Sequence, residues 1–94
     1  MDTPTYSQSH LDLIVAQAAR DERTRLADLL EGMAATSHAA HVAWIPEAYP
    51  RHGKGEPYDA FQRRWHSYRE EDVERATRTE TLFDAALALR KEAL

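Results

Sequence analysis

Apolar side chains recur along the first half of the chain at helical rather than alternating spacing. Leu11, Ile14, Val15, Ala18, Leu26, Leu29, Leu30 and Met33 gather on one side of a 3.6-residue repeat, and the pattern runs on through Ser37, Ala40 and Trp44. Ser9 followed by Asp12 reads as a capping box, the hydroxyl on a first-turn amide and the carboxylate reaching back. A helix is therefore expected to start at residue 9, with Asp12 in its first turn, where the helix dipole favours negative charge. Gly32 is the weak point. It either ends the helix as a left-handed cap or sits inside it at a cost of ~1 kcal/mol against alanine. Because the pattern persists beyond it, one long helix is expected, continuous or kinked, with a break at Thr36 or Ser37 as the alternative.

A second stripe begins after Glu56 and Pro57, proline being a good residue for the first helical position. It runs through Tyr58, Phe61, Trp65, Tyr68, Val73, Ala76, Phe83, Ala86 and Leu87. Asp59 supplies first-turn acid, and Arg90 and Lys91 supply last-turn base. The stripe thins between Val73 and Leu82, where Thr77, Thr79 and Thr81 lower helix propensity. Thr77 with Glu80 also resembles a capping box, so a kink or restart near residue 77 is the alternative here. Exposed pairs four apart, Asp21 with Arg25, Glu71 with Arg75 and Glu74 with Arg78, favour helix in both arms. The short β-prone run Val42, Ala43, Trp44, Ile45 ends in Pro46 and makes no strand.

Between the stripes lie Pro46, Pro50, Gly53, Gly55 and Pro57, a cluster of turn residues. The sequence thus predicts an all-α chain, a single helical domain over residues 1–94. It consists of one arm over 9–45, a loop over 46–57 and a second arm over 58–93. Each arm would span roughly 50–55 Å at the helical rise. Arms of matched length joined by a compact loop make an antiparallel helical hairpin. A hairpin has a seam but no interior, so completion of a four-helix bundle is expected, by homodimerisation or by docking on a partner.

Composition narrows the function classes. Cysteine is absent among the 94 residues, which excludes disulfides and thiolate chemistry and suits a cytoplasmic setting. The N-terminal residues lack the basic and apolar regions of a signal peptide, and no apolar run approaches the ~20 residues of a membrane span. Ten arginines against two lysines, with sixteen alanines, point to GC-rich codons and a bacterial or phage source.

Six of the eight aromatics fall between residues 44 and 68, in a stretch that is also locally basic. Residues 36–69 hold five Arg/Lys against three Asp/Glu, whereas residues 70–94 hold four against seven. Aromatics and arginine are the types that anchor interfaces, so Trp44, Tyr49, Arg51, His52 and Lys54 are candidate partner-binding residues. The acidic run from residue 70 adds Glu70, Glu71 and Glu74, suited to a basic groove on a partner protein. Phe61, Trp65 and Tyr68 read as ordinary helix-face core. The net charge of −4 and the absence of a recognisable motif argue against nucleic acid as that partner.

His38 and His41 stand three apart, a spacing that places both imidazoles on one helical face and makes them candidate metal or haem ligands. Zinc normally takes three or four protein ligands, and no companion motif supplies the others. Nothing in the sequence calls for a cofactor. Gly53, Lys54 and Gly55 lack the spacing of a phosphate loop, and no nucleophile elbow or catalytic triad order is present. The leading expectation is a small non-enzymatic protein-binding module, a regulator, an inhibitor of a host complex or an accessory subunit. A metal- or haem-binding bundle on His38 and His41 is the second reading, and a small helical enzyme subunit the third.

Overall fold

A computed structural model describes residues 7–94; residues 1–6, Pro4 among them, lie outside the described part. It contains two helices, α1 over Gln8–Ala48 and α2 over Tyr58–Ala93. They lie antiparallel as a narrow rod, α1 of 41 residues and α2 of 36 running roughly 61 and 54 Å at the helical rise. No strand occurs among the described residues.

Both helices are unbroken. Gly32 is an interior residue of α1, and Thr77 sits inside α2 without restarting it. The start of α1 is one turn-fraction earlier than the capping box suggests. Ser7 is the N-cap and its Oγ accepts from the His10 amide at 3.2 Å. Ser9 and Asp12 are then interior, and Asp12 accepts from the Gln8 side-chain amide at 2.9 Å. At the other end α1 continues through Pro46 to Ala48. A proline there costs only one helical amide and clashes with one carbonyl in the final turn, so the helix outlasts it. Pro57 is the N-cap of α2 rather than its first helical residue.

The less exposed positions of α1 include Arg20, Arg23, Ala27, Leu30, Ala34, Ser37, His41, Trp44 and Ala48, alternating by three and four. Those of α2 include Phe61, Trp65, Tyr68, Asp72, Arg75, Thr79, Leu82, Ala86, Leu89 and Ala93, in the same alternation. A mean spacing of 3.5 is that of a coiled coil, so the hairpin is a two-stranded antiparallel one. The Ser37 and Thr79 hydroxyls, 2.8 Å apart across the seam, mark its register. Stepping outward from that pair sets Ala34 opposite Leu82, Leu30 opposite Ala86 and Ala27 opposite Leu89. In each of these three layers an alanine faces a leucine.

This differs from the stripe read in the sequence. Leu30 enters the seam, but Leu26, Leu29 and Met33 do not; they remain 38–56% exposed. The wholly buried residues are instead Ala27, Ala34 and Ala86, with Thr79 at 7%. Small side chains let two helices approach closely, and a helix must choose one face for its partner. The alanine-bearing face wins on fit and leaves the larger side chains outside.

The connecting loop is tied from within. The Arg64 guanidinium donates twice to the Glu56 carboxylate, both at 2.8 Å, and once to the Arg51 carbonyl at 2.6 Å. Glu56 also accepts from the Gly53 amide at 3.1 Å. Gly55 takes a positive φ of 77°, a conformation that side chains with a Cβ rarely adopt.

Candidate interaction surfaces

Three zones succeed one another along the seam. Nearest the loop it is aromatic: Trp44 stacks on Tyr68 with centroids 5.1 Å apart, and Tyr49 meets Trp65 and Tyr68 edge-on at 5.2 and 5.6 Å. In the middle it is polar. His41 Nε2–H donates to Asp72 Oδ1 at 2.6 Å, and the Arg75 guanidinium lies 4.6 Å above the Trp44 ring. Toward the open end it is made of the alanine–leucine layers. Arg90 donates there to Glu31 at 2.7 Å and to Asp28 at 2.6 Å.

The loop-end candidates therefore divide. Trp44 is half-buried between Tyr68 and Arg75, a seam residue whose indole faces are already occupied. Tyr49 is 51% exposed while its ring edges contact the same cluster. Arg51, His52 and Lys54 are exposed, His52 resting edge-on against Phe61 at 5.1 Å. These five share one end of the rod. Glu70 and Glu74 are exposed on α2 beside Val73, and Glu71 pairs with Arg75 at 2.9 Å. Of the other expected helix-surface pairs, Arg25 bonds Glu22, three away, at 2.6 Å rather than Asp21.

His38 is exposed on α1, whereas His41 turns into the seam and is held by Asp72. Among the described residues no group of three or more His, Asp or Glu side chains is placed to hold a metal ion.

Charge at the loop is locally paired. The Arg64 hydrogen bonds, with the Gly53 amide adding to them, hold the Glu56 carboxyl down to about 2. The Arg90 bonds likewise lower the Glu31 carboxyl. Desolvation, ahead of the charge of Asp72, raises the Tyr68 phenol.

The feature that reading the sequence missed lies outside the seam. Leu26, Leu29, Met33, Ala40 and Ala43 repeat the four-three alternation one residue behind the seam positions of α1. With Gly32, Thr36 and, from α2, Arg78 and Leu82, part of this stripe lines an open groove along one flank of the hairpin. A second stripe, Val73, Ala76, Phe83 and Leu87, runs along α2 in step with Arg90, on the flank that carries the Arg90 ion pairs. Phe83 and Leu87 are 46% and 53% exposed. Beyond the end of α2, residues 8–18 of α1 are exposed on every side, with Leu11, Leu13, Ile14 and Val15 among them. Separating the 3.5 repeat of small and polar residues from the larger apolar ones would have exposed both stripes in the sequence.

No helix among the described residues is long and apolar enough to cross a membrane. Compared with protein-family models, curated proteins and solved structures, the chain matches none.

Proposed function

We propose that this chain is a non-enzymatic protein-binding module, a regulatory, inhibitory or accessory subunit that presents apolar helix flanks to another protein. One observation carries the reading: among the described residues fourteen large apolar side chains are exposed, while no large side chain is fully buried. A helical rod with that distribution gains more by covering its flanks than it holds in its own seam. The α2 stripe of Val73, Phe83 and Leu87, flanked by Arg69, Glu70 and Glu74, is the surface offered to a foreign protein. Its apolar centre and charged rim match the usual anatomy of an interface. The exposed Tyr49, Arg51, His52 and Lys54 at the loop end extend the contact. A cytoplasmic regulator of bacterial or phage origin accords with the size, the missing cysteine and the arginine-rich composition.

The test is affinity capture with the tagged chain beside its Phe83→Arg and Arg51→Ala variants, all three first compared by circular dichroism. The expected result is one protein retained in stoichiometric amount by the parent chain, lost with Phe83→Arg at unchanged helicity and reduced with Arg51→Ala. Retention that is indifferent to Phe83→Arg would remove the α2 flank from the reading.

A further inference from the structure

The α2 flank describes its occupant by both shape and charge. On α2 the alternation by three and four runs Val73, Ala76, Glu80, Phe83, Leu87 and reaches Arg90, so a carboxylate stands in the middle of an apolar stripe. On α1 the same alternation, stepped from Glu31 where it meets Arg90, passes through His38 to Val42, Ile45 and Tyr49. Both stripes therefore border one side of the hairpin, where Val42, Val73, Phe83 and Leu87 are 52%, 63%, 46% and 53% exposed. Two helices side by side with apolar stripes on the same flank leave a straight furrow, the seat that a further helix takes in a bundle. From Val73 to Leu87 it runs about 21 Å, roughly four helical turns.

The charge of this furrow is one-sided. Glu70 and Asp84 occupy equivalent places two heptads apart on the outer edge of the α2 stripe, and Glu80 lies within it. All three are exposed, and none has a hydrogen-bond or ion-pair partner among the described residues. Between Arg69 and Arg90, α2 places no arginine or lysine on this flank: Arg75 is turned onto Trp44, and Arg78 lines the opposite groove. Arg90 is already held by Glu31 and Asp28. An apolar face bordered by uncompensated carboxylates is complemented by a surface that brings cations to its edge.

A second copy of the chain does not bring them. The stripe is centred on Glu80, seven residues from both Val73 and Leu87, so a two-fold contact between two such flanks sets Glu80 against Glu80. Like charges directly opposed count against that pairing. Resting on the binding function proposed above, we infer that the occupant of this furrow is a basic amphipathic helix of the partner protein, its apolar face on Val73, Phe83 and Leu87 and its lysines or arginines along Glu70, Glu80 and Asp84.

The probe is a fluorescein-labelled synthetic helix of roughly five turns, leucine along one face and lysine elsewhere, titrated with the full chain and followed by anisotropy. One control peptide carries glutamate in place of lysine, and another has the lysine peptide's composition in scrambled order. The lysine peptide is expected to bind at least about tenfold more tightly than either control. Its Kd should rise about tenfold with Phe83→Arg and about tenfold with Glu80→Lys combined with Asp84→Lys, at unchanged helicity. It should also rise when salt goes from about 0.05 to about 0.5 M. Should the charge reversal disturb helicity, Glu80→Gln with Asp84→Asn makes the same comparison with an expected rise of about threefold. Equal affinity for either control overturns the inference, and so does a Kd indifferent to the carboxylate variants. A dimer of the parent chain that Phe83→Arg dissociates in light scattering gives the flank to a second copy and overturns it too. If affinity capture is lost with Phe83→Arg yet untouched by Glu80→Lys with Asp84→Lys, the binding function stands and only the basic helix fails. If the lysine peptide behaves as expected while capture ignores Phe83→Arg, the furrow takes basic helices and only the assignment of the captured partner to it fails.

Discussion

The two ends of this hairpin share a heptad spacing and fill it differently. Near the loop the seam holds Trp44, Tyr49, Trp65 and Tyr68 in mutual ring contact, with His41 bonded to Asp72 beneath them. Toward the open end the same positions hold alanines and single leucines, while the larger apolar residues lie outside. Aromatic rings bring much contact area and fixed geometry per position, and buried hydrogen bonds penalise any shifted pairing. The loop end thus sets register and direction. The open end contributes close approach, and its outer flanks remain available to other chains.

The difference can be broken most severely at a methyl slot. Ala34 is 0% exposed and faces Leu82, so Ala34→Arg should abolish cooperative melting by circular dichroism, and Ala34→Leu should cost about 1–3 kcal/mol by overpacking. Trp44→Ala comes next: removing a half-buried indole with a stacked ring on one side and a guanidinium on the other should cost about 2 kcal/mol in urea melts. If that variant keeps full stability and loses only a partner, Trp44 is an interface anchor and the division between the two ends is drawn in the wrong place. In the polar middle, Ser37→Ala or Thr79→Val alone should each cost about 1 kcal/mol, and the double variant clearly less than the sum, because one change strands the other hydroxyl.

Acid probes the loop end in another way. The Glu56 carboxyl is lowered to about 2, so its contribution is complete above the ordinary carboxylate range near 4.5 and is lost as pH falls toward 2. Loop-residue amide exchange should quicken over that window, and Glu56→Gln should remove that dependence. The smallest effect belongs to Gly32. A Cβ there meets nothing within 4 Å, so Gly32→Ala should stabilise the chain by about 0.5–1 kcal/mol through helix propensity alone.

Much of the architecture was legible before any coordinates. The cluster of prolines and glycines between residues 46 and 57 placed the turn, and the absence of alternation excluded strands. Three things were hidden for physical reasons. Proline 46 reads as a stop signal, yet a proline within the last turn forfeits little and the helix runs past it. The seam was hidden because hydropathy marks the largest apolar residues, while the packing of two bare helices rewards small ones. Leu26, Leu29 and Met33 drew attention as core, whereas Ala27, Ala34 and Thr79 occupy it. The Glu56–Arg64 clamp was equally invisible, since it joins residues eight apart through a fold of the loop.

The two stripes of α1 lie one residue out of phase, and this gives the helix a gear-like property. A single-residue advance of α1 turns it by about 100° and offers Leu26, Leu29 and Met33 to α2 in place of Leu30 and the alanines. A one-residue shift is therefore the nearest competing meshing of this pair of helices. Besides the closer fit of the alanine face, the Ser37–Thr79 and His41–Asp72 bonds oppose that shift, because they fit one meshing and are stranded in the other. A single-residue deletion between Met33 and Ser37 would move Leu26, Leu29 and Met33 into the places of Ala27, Leu30 and Ala34, and that part of the outer flank of α1 would vanish into the seam.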